Sequence, residues 1–165
     1  MTIAELYVKM LKYPGIEMHD INHLTKVRAY AGAIAALEGL DAQQRFMTEA
    51  AAILHDIACP ALRKLYGKAE GKRQEELGPA LAREFLASTD LAAEQLERLC
   101  YLIGHHHTLD EIDGIDYQIL IEADYLVNAD EAGFSKPNIE NMYAAYFKTA
   151  TGRDLLKTLF IDKIN

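Results

Sequence analysis

Several stretches of this sequence place histidines and acids where a packed core has no use for them. His55 and Asp56 follow Ala50-Ala51-Ala52-Ile53-Leu54 and precede Ile57-Ala58. Asp124 lies between Ile121 and Val127, His23 opens an Ala-rich segment, and His105, His106 and His107 follow Leu102-Ile103. Taking a carboxylate out of water is expensive unless a positive group compensates it. A bound cation neutralises carboxylates and orders imidazoles together, so it is the economical common answer. Adjacent helical residues point ~100° apart, so a His-Asp pair grips an ion less easily in mid-helix than an i,i+4 pair does. It does so where the helix faces a cavity and ends soon after, and Ile57-Ala58-Cys59-Pro60 predicts such an end. Neighbours in the histidine run diverge, so not all three face one centre. His105 and His106 are the inward candidates, and His107 is expected to face solvent. His19 stands four residues before His23, but Asp20 reads as the cap of that helix and leaves His19 outside it.

The elements that must position these residues read as helices almost throughout. Thr2-Ile3-Ala4-Glu5 and Asp41-Ala42-Gln43-Gln44 are capping-box patterns, each followed by an amphipathic run. Pro14-Gly15, Gly39 and Gly133 read as breaks or stops. The segment from Arg63 to Arg73 is the least regular and the most basic. Helical patterns resume at about Glu75, with Pro79 near the start, then after the cap chemistry of Ser88-Thr89-Asp90, and again at Asp116. Ser135 opens a further helix, and 151 to 160 forms a short last one. No segment alternates with period 2 as a strand does. The expectation is an all-α bundle of about seven helices in one domain, with its chemistry at about residues 20 to 130 and helices from 135 to 160 packed against it.

Composition narrows the classes. With 165 residues, half of them hydrophobic and a quarter charged, the chain suits one folded domain rather than a disordered segment. A net charge of −8 makes it a poor non-specific binder of nucleic acid or of an anionic membrane. A small phosphorylated substrate remains open, because a metal or a local basic cluster reverses the field at one site. No apolar run approaches the ~18–20 residues that a membrane helix needs, and the first residues lack a signal pattern. Cys59 and Cys100 make no disulfide framework and read as small buried residues, so a cytoplasmic setting is the simple expectation.

The ordered set of His23, then His55-Asp56 after Ala-Ala-Ile-Leu, then Asp124 in Glu-Ala-Asp-Tyr-Leu resembles the HD-domain superfamily of metal-dependent phosphohydrolases. Its hallmark is H…HD…D on a helical bundle. Gly78-Pro-Ala-Leu-Ala resembles that family's middle helix, and Ile103-Gly-His-His-His its fourth. The resemblance implies one divalent transition metal held by His23, His55, Asp56 and Asp124. Mixed His and carboxylate ligands suit Mn, Fe, Ni, Co or Zn better than Mg. Gln74 stands where two-metal members carry a histidine, which favours one tight metal over two. His105 and His106 match the family's later histidines and are candidates for a weak second ion or for the substrate phosphate. Ala58-Cys59 replaces the Gly-Lys that many members place after HD. The basic segment with Lys64, Lys68, Lys72 and Arg73, beside Gln74, is therefore the candidate phosphate contact.

The implied reaction is hydrolysis of a phosphoester in a small phosphorylated compound, most simply a nucleotide. Asp56 would orient a water made acidic by the metal, and His105 or His106 would stabilise charge or protonate the leaving oxygen. Two rivals stand beside it: a non-catalytic nucleotide sensor on the same fold, and a di-iron oxygenase, which Gln74 disfavours. Glu75 and Glu76 are further candidates for a general base. Whether the chain pairs as a homodimer is left open by the sequence.

Overall fold

The structure, a computed structural model, describes residues 1–163. Among them it has nine α-helices and no strand: α1 (Ile3–Met10), α2 (Met18–Leu37), α3 (Ala42–Leu54), α4 (Cys59–Tyr66), α5 (Gly71–Leu86), α6 (Ala93–Ile103), α7 (Ile115–Glu131), α8 (Lys136–Ala145) and α9 (Ala150–Leu156). A π-helical turn, Lys157–Ile161, follows α9.

Both capping boxes form. Thr2 Oγ1 accepts the Glu5 N–H at 3.2 Å, and Asp41 accepts the Gln44 N–H at 2.8 Å while Gln44 returns the bond. Asp20 does not cap α2. That helix starts two residues earlier with Glu17 as its N-cap, and Asp20, at the third helical position, accepts the Glu17 N–H. His19 therefore lies inside α2.

The expected count of about seven helices falls short because the basic segment is not irregular. Its first part continues α4, where Pro60 sits in the first turn and its missing N–H leaves nothing unsatisfied. Its last part opens α5, four residues before the expected start.

Helices α2, α3 and α7 form the centre of the bundle. Ala31 and Ala35 of α2 and Ala50, Ala51 and Ala52 of α3 are fully buried, and such small residues let helix backbones approach closely. Helix α6 packs on α3 and carries α5 on its flank. A Cβ added at Gly78 of α5 would stand 2.6 Å from Ile103 Cγ2, so this glycine sets how near α5 comes to the end of α6. Helix α9 packs on α7 and α2, and α8 packs on α9 and the π turn. The polar ends that matter chemically, the α3 C-terminus, the start of α2, the middle of α7 and the turn after α6, meet on one side.

Candidate metal centre

Four side chains from three segments far apart in the chain converge. His23 Nε2 lies 3.2 Å from His55 Nε2, 3.1 Å from Asp124 Oδ1 and 3.6 Å from Asp56 Oδ2. His55 Nε2 lies 3.5 Å from both Asp56 Oδ2 and Asp124 Oδ1. The adjacent pair of the HD motif manages this because α3 ends at Leu54, leaving His55 as its C-cap and Asp56 in the turn before α4.

Hydrogen bonds on the far side of each ring fix which atoms face the centre. His55 Nδ1 donates to the Ala52 carbonyl at 2.9 Å, and a carbonyl can only accept. In its neutral form, His55 Nε2 is then an unprotonated acceptor. His23 Nδ1 is held 2.9 Å from Glu131 Oε2, which turns its Nε2 to the same role. Two imidazole lone pairs and two carboxylates thus point at one volume, and only a positive charge makes that stable. Donor atoms ~2.1 Å from a shared ion stand ~3.0–3.4 Å apart at ~90–110°. The observed separations of 3.1–3.6 Å fit a set that can hold a transition-metal ion.

Without a metal, protons take its place. Burial pushes the His55 imidazole down, but the Asp56 charge and the Asp124 hydrogen bond outweigh it and raise it to about 9. His23 is raised against the same burial by its bond to Asp124. Burial would raise Asp56 and Asp124, yet the surrounding imidazoles hold both well below the usual carboxylate range.

A second set of donors adjoins the first through Asp56. Its other oxygen, Oδ1, lies 3.6 Å from His106 Nε2. Gln74 Oε1 stands 3.2 Å from His106 Nε2 and 2.8 Å from His107 Nε2. The Gln74 amide is oriented by its Nε2 donating to the Ala69 carbonyl at 3.0 Å, and His106 Nδ1 donates to the Ile103 carbonyl at 2.8 Å. Here His106 Nε2 and Gln74 Oε1 are both acceptors, while His107 Nε2 is free to donate to Gln74 Oε1. Asp56, His106 and His107 each bring a ligand atom within 4.8 Å of the others, so they too can hold an ion. Desolvation of its inner ring edge, then His106, lowers His107 to about 4 although the residue as a whole is exposed.

The structure corrects one expectation about the histidine run. His105 is not at the centre: α6 ends at Ile103, and the turn after it directs His105 back, Nδ1 on the Tyr101 carbonyl at 2.7 Å and the ring stacked on Tyr101 at 4.2 Å. His107 is exposed, as expected, although its Nε2 edge reaches Gln74 Oε1 at 2.8 Å. The basic segment is also corrected. Lys68 pairs with Glu70, and Arg73 pairs with Glu70 at 3.4 Å and lies over the Tyr66 ring. Lys72 and Arg73 line a groove with Leu62 and Leu77, because on α5 the step back from Gln74 turns both off the inward face. Lys64 faces a separate groove with Lys9 and Lys12.

The cation that lines the mouth of the centre is Arg63, whose guanidinium holds Asp20 with contacts of 2.9 and 2.5 Å. The sequence reading counted Arg63 in the basic segment without singling it out, and it missed Asn128 and Glu131. Asn128 donates to Asp124 at 2.9 Å. Asp124, Asn128 and Glu131 are spaced i, i+4, i+7 on α7, and that helical face was a readable signal. Cys59 also lines the mouth, with burial pushing its thiol up.

A bundle of helices with a His/Asp cluster of this kind defines a class, and comparison identifies it. The family model of the HD domain matches residues 20–129, so this chain belongs to the HD-domain family. A crystal structure described as a predicted HD superfamily hydrolase from an uncultured Thermotogales bacterium superposes with a TM-score of 0.66. It is 23% identical, and the match covers 97% of this chain and 84% of that one. A search of curated proteins returned no significant match. Among the described residues, no helix is long and apolar enough to cross a membrane.

Proposed function

We propose that this protein is a metal-dependent phosphohydrolase that cleaves a phosphoester in a small phosphorylated compound, a nucleotide being the simplest candidate. The observation that carries this reading is the convergence of His23, His55, Asp56 and Asp124 with their unprotonated atoms inward. These four are the proposed ligands of one divalent transition metal, Mn, Fe, Ni, Co or Zn, with Mg less suited. When bound, such an ion supplies Lewis acidity toward a phosphoryl oxygen and lowers the pKa of a water.

The chain's own residues do the rest. Arg63 at the mouth attracts the phosphate anion, the role first sought in the basic segment. Asp56, anchored by the imidazoles around it, orients the attacking water. Hydrolysis forms one bond from the water oxygen to phosphorus and breaks the bond to the leaving oxygen, which takes up a proton. Where no second ion is bound, a protonated His106 is placed to supply that proton, because its Nε2 faces Asp56 while its Nδ1 proton is held by the Ile103 carbonyl. Gln74, His106 and His107 are proposed to hold a second, weaker ion, since Gln74 offers a neutral amide oxygen in place of an imidazole.

The test is a panel of phosphoesters, including mono- and dinucleotides, assayed with each metal. Metal-dependent phosphate release by the wild type should fall at least ~100-fold in Asp56→Ala, with the helical CD spectrum retained. Activity retained by that variant contradicts the mechanism. Nucleotide binding without turnover supports the sensor instead.

A further inference from the structure

The cluster has two openings, and their walls differ in kind. The mouth described above, about 200 Å³, is polar and carries His19, Asp20, Arg63 and Glu131. Adjoining it, with Asn128 common to both linings, a cavity of about 260 Å³ lies between α7, α8 and the loop after the histidines. Its walls are Leu109, Ile121, Tyr125, Phe134 and Met142 with Asn128 and Asn138 as polar points, and its inner end is formed by His106, His107 and Asp124. The Tyr125 and Phe134 rings stand 5.3 Å apart at 40°, making a tilted aromatic wall. At the rim the Tyr125 hydroxyl donates to Asn138 Oδ1 at 2.5 Å, which ties α8 to α7.

A phosphoryl group is poorly served by these mostly apolar walls, because an anion loses its hydration there and meets only two side-chain amides and no lysine or arginine. An uncharged ring is well served, since it exchanges water for aromatic and aliphatic contacts. The polar mouth with Arg63 suits the opposite end of the same substrate. Size narrows the occupant further. A dry apolar cavity of ~150 Å³ takes up benzene, so this one admits a single mono- or bicyclic ring system but not two stacked rings.

Resting on the phosphohydrolase reading above, we propose that this cavity is the leaving-group pocket and receives one planar ring system carried by the alcohol of the phosphoester. Phe134 and Met142 are then specificity-determining residues, and neither takes part in the His/Asp cluster.

Calorimetric titration of the Mn-loaded protein with phenylphosphonate and with methylphosphonate tests this. The two carry the same anion and differ in the ring, and neither depends on turnover. Phenylphosphonate should bind at least about tenfold more tightly, the scale expected for burying one ring. Met142→Trp, which fills the cavity, should bring phenylphosphonate down to the level of methylphosphonate, with methylphosphonate within about twofold of wild type. Phe134→Ala, at a half-buried position and milder for folding, should weaken phenylphosphonate alone by a few-fold. Equal affinities in the wild type, or variants that weaken both ligands equally, overturn the pocket and leave the phosphohydrolase reading standing. If neither phosphonate binds, that reading fails and takes the pocket with it.

Discussion

Helix α7 carries two buried carboxylates two residues apart, and they live in opposite surroundings. Glu122 is fully buried and every contact is a donor. It accepts from Gln118 Nε2 at 2.7 Å, from the Lys148 N–H at 2.6 Å, from the Thr149 N–H at 3.0 Å and from the Thr149 hydroxyl. The nest is closed: a Cβ at Gly152 would fall 2.0 Å from Glu122 Oε2. Asp124 is nearly as buried, but it faces the Nε2 atoms of His23 and His55, which are acceptors in their neutral state. The first carboxylate is completed by the fold, whereas the second has one fixed donor, Asn128, and toward the two imidazoles is completed only by a proton or a metal. Burial alone therefore does not mark a ligand; the sign of the neighbouring groups does.

The contrast breaks most sharply at Asp124 itself. Asp124→Asn should weaken metal affinity more than ~100-fold, beyond the effect of losing an outer hydrogen-bond partner, while the metal-free protein keeps its helical spectrum. Metal titration followed by calorimetry measures this, and unchanged affinity would place Asp124 with Glu122 as a structural acid. Glu122→Gln should do the reverse. Its amide would set an N–H against the donors of Lys148 and Thr149, costing about 2–4 kcal/mol in denaturant unfolding, with metal affinity unaltered.

Glu131→Gln should sharpen the picture at a smaller scale. It loosens the orientation of His23, so metal affinity should drop ~10–100-fold without loss of fold.

The last effect is one of pH. In the metal-free protein His55 is raised from 6.5 to about 9. A group raised on folding stabilises fully below its unfolded value, and that stabilisation is lost as pH climbs through its folded value. Metal-free protein should therefore lose about 2–3 kcal/mol between pH 6.5 and 9. Metal-loaded protein should not, because proton and ion compete for the same nitrogen, and the Tm gap between the two forms should widen with pH. A gap that is constant across this range would separate His55 from the metal.

How far these two regions were legible in the sequence follows from where their partners lie. Asp124 stood out because it interrupts an apolar run and had histidines to pair with elsewhere. Glu122 sits in the same run and was passed over, since its donors are main-chain groups 26 and 27 residues on that no side-chain pattern announces. Helix type and most caps were readable from local chemistry. Helix α4 was not, because Pro60 reads equally as a stop or a start. The histidine run misled for a related reason. Helical phase does not extend past Gly104, and the turn there sends His105 back onto Tyr101, buries His106 and leaves His107 exposed with one ring edge at Gln74.

The central claim is that the His23–His55–Asp56–Asp124 cluster is completed by a metal ion. Elemental analysis of protein incubated with Mn, Fe, Ni, Co and Zn and then gel-filtered addresses it directly, with His55→Ala as the control. The account predicts at least about one transition-metal ion retained per wild-type chain and close to none in the variant. A wild-type protein that emerges free of every one of these metals, or a variant that retains as much as the wild type, would contradict it.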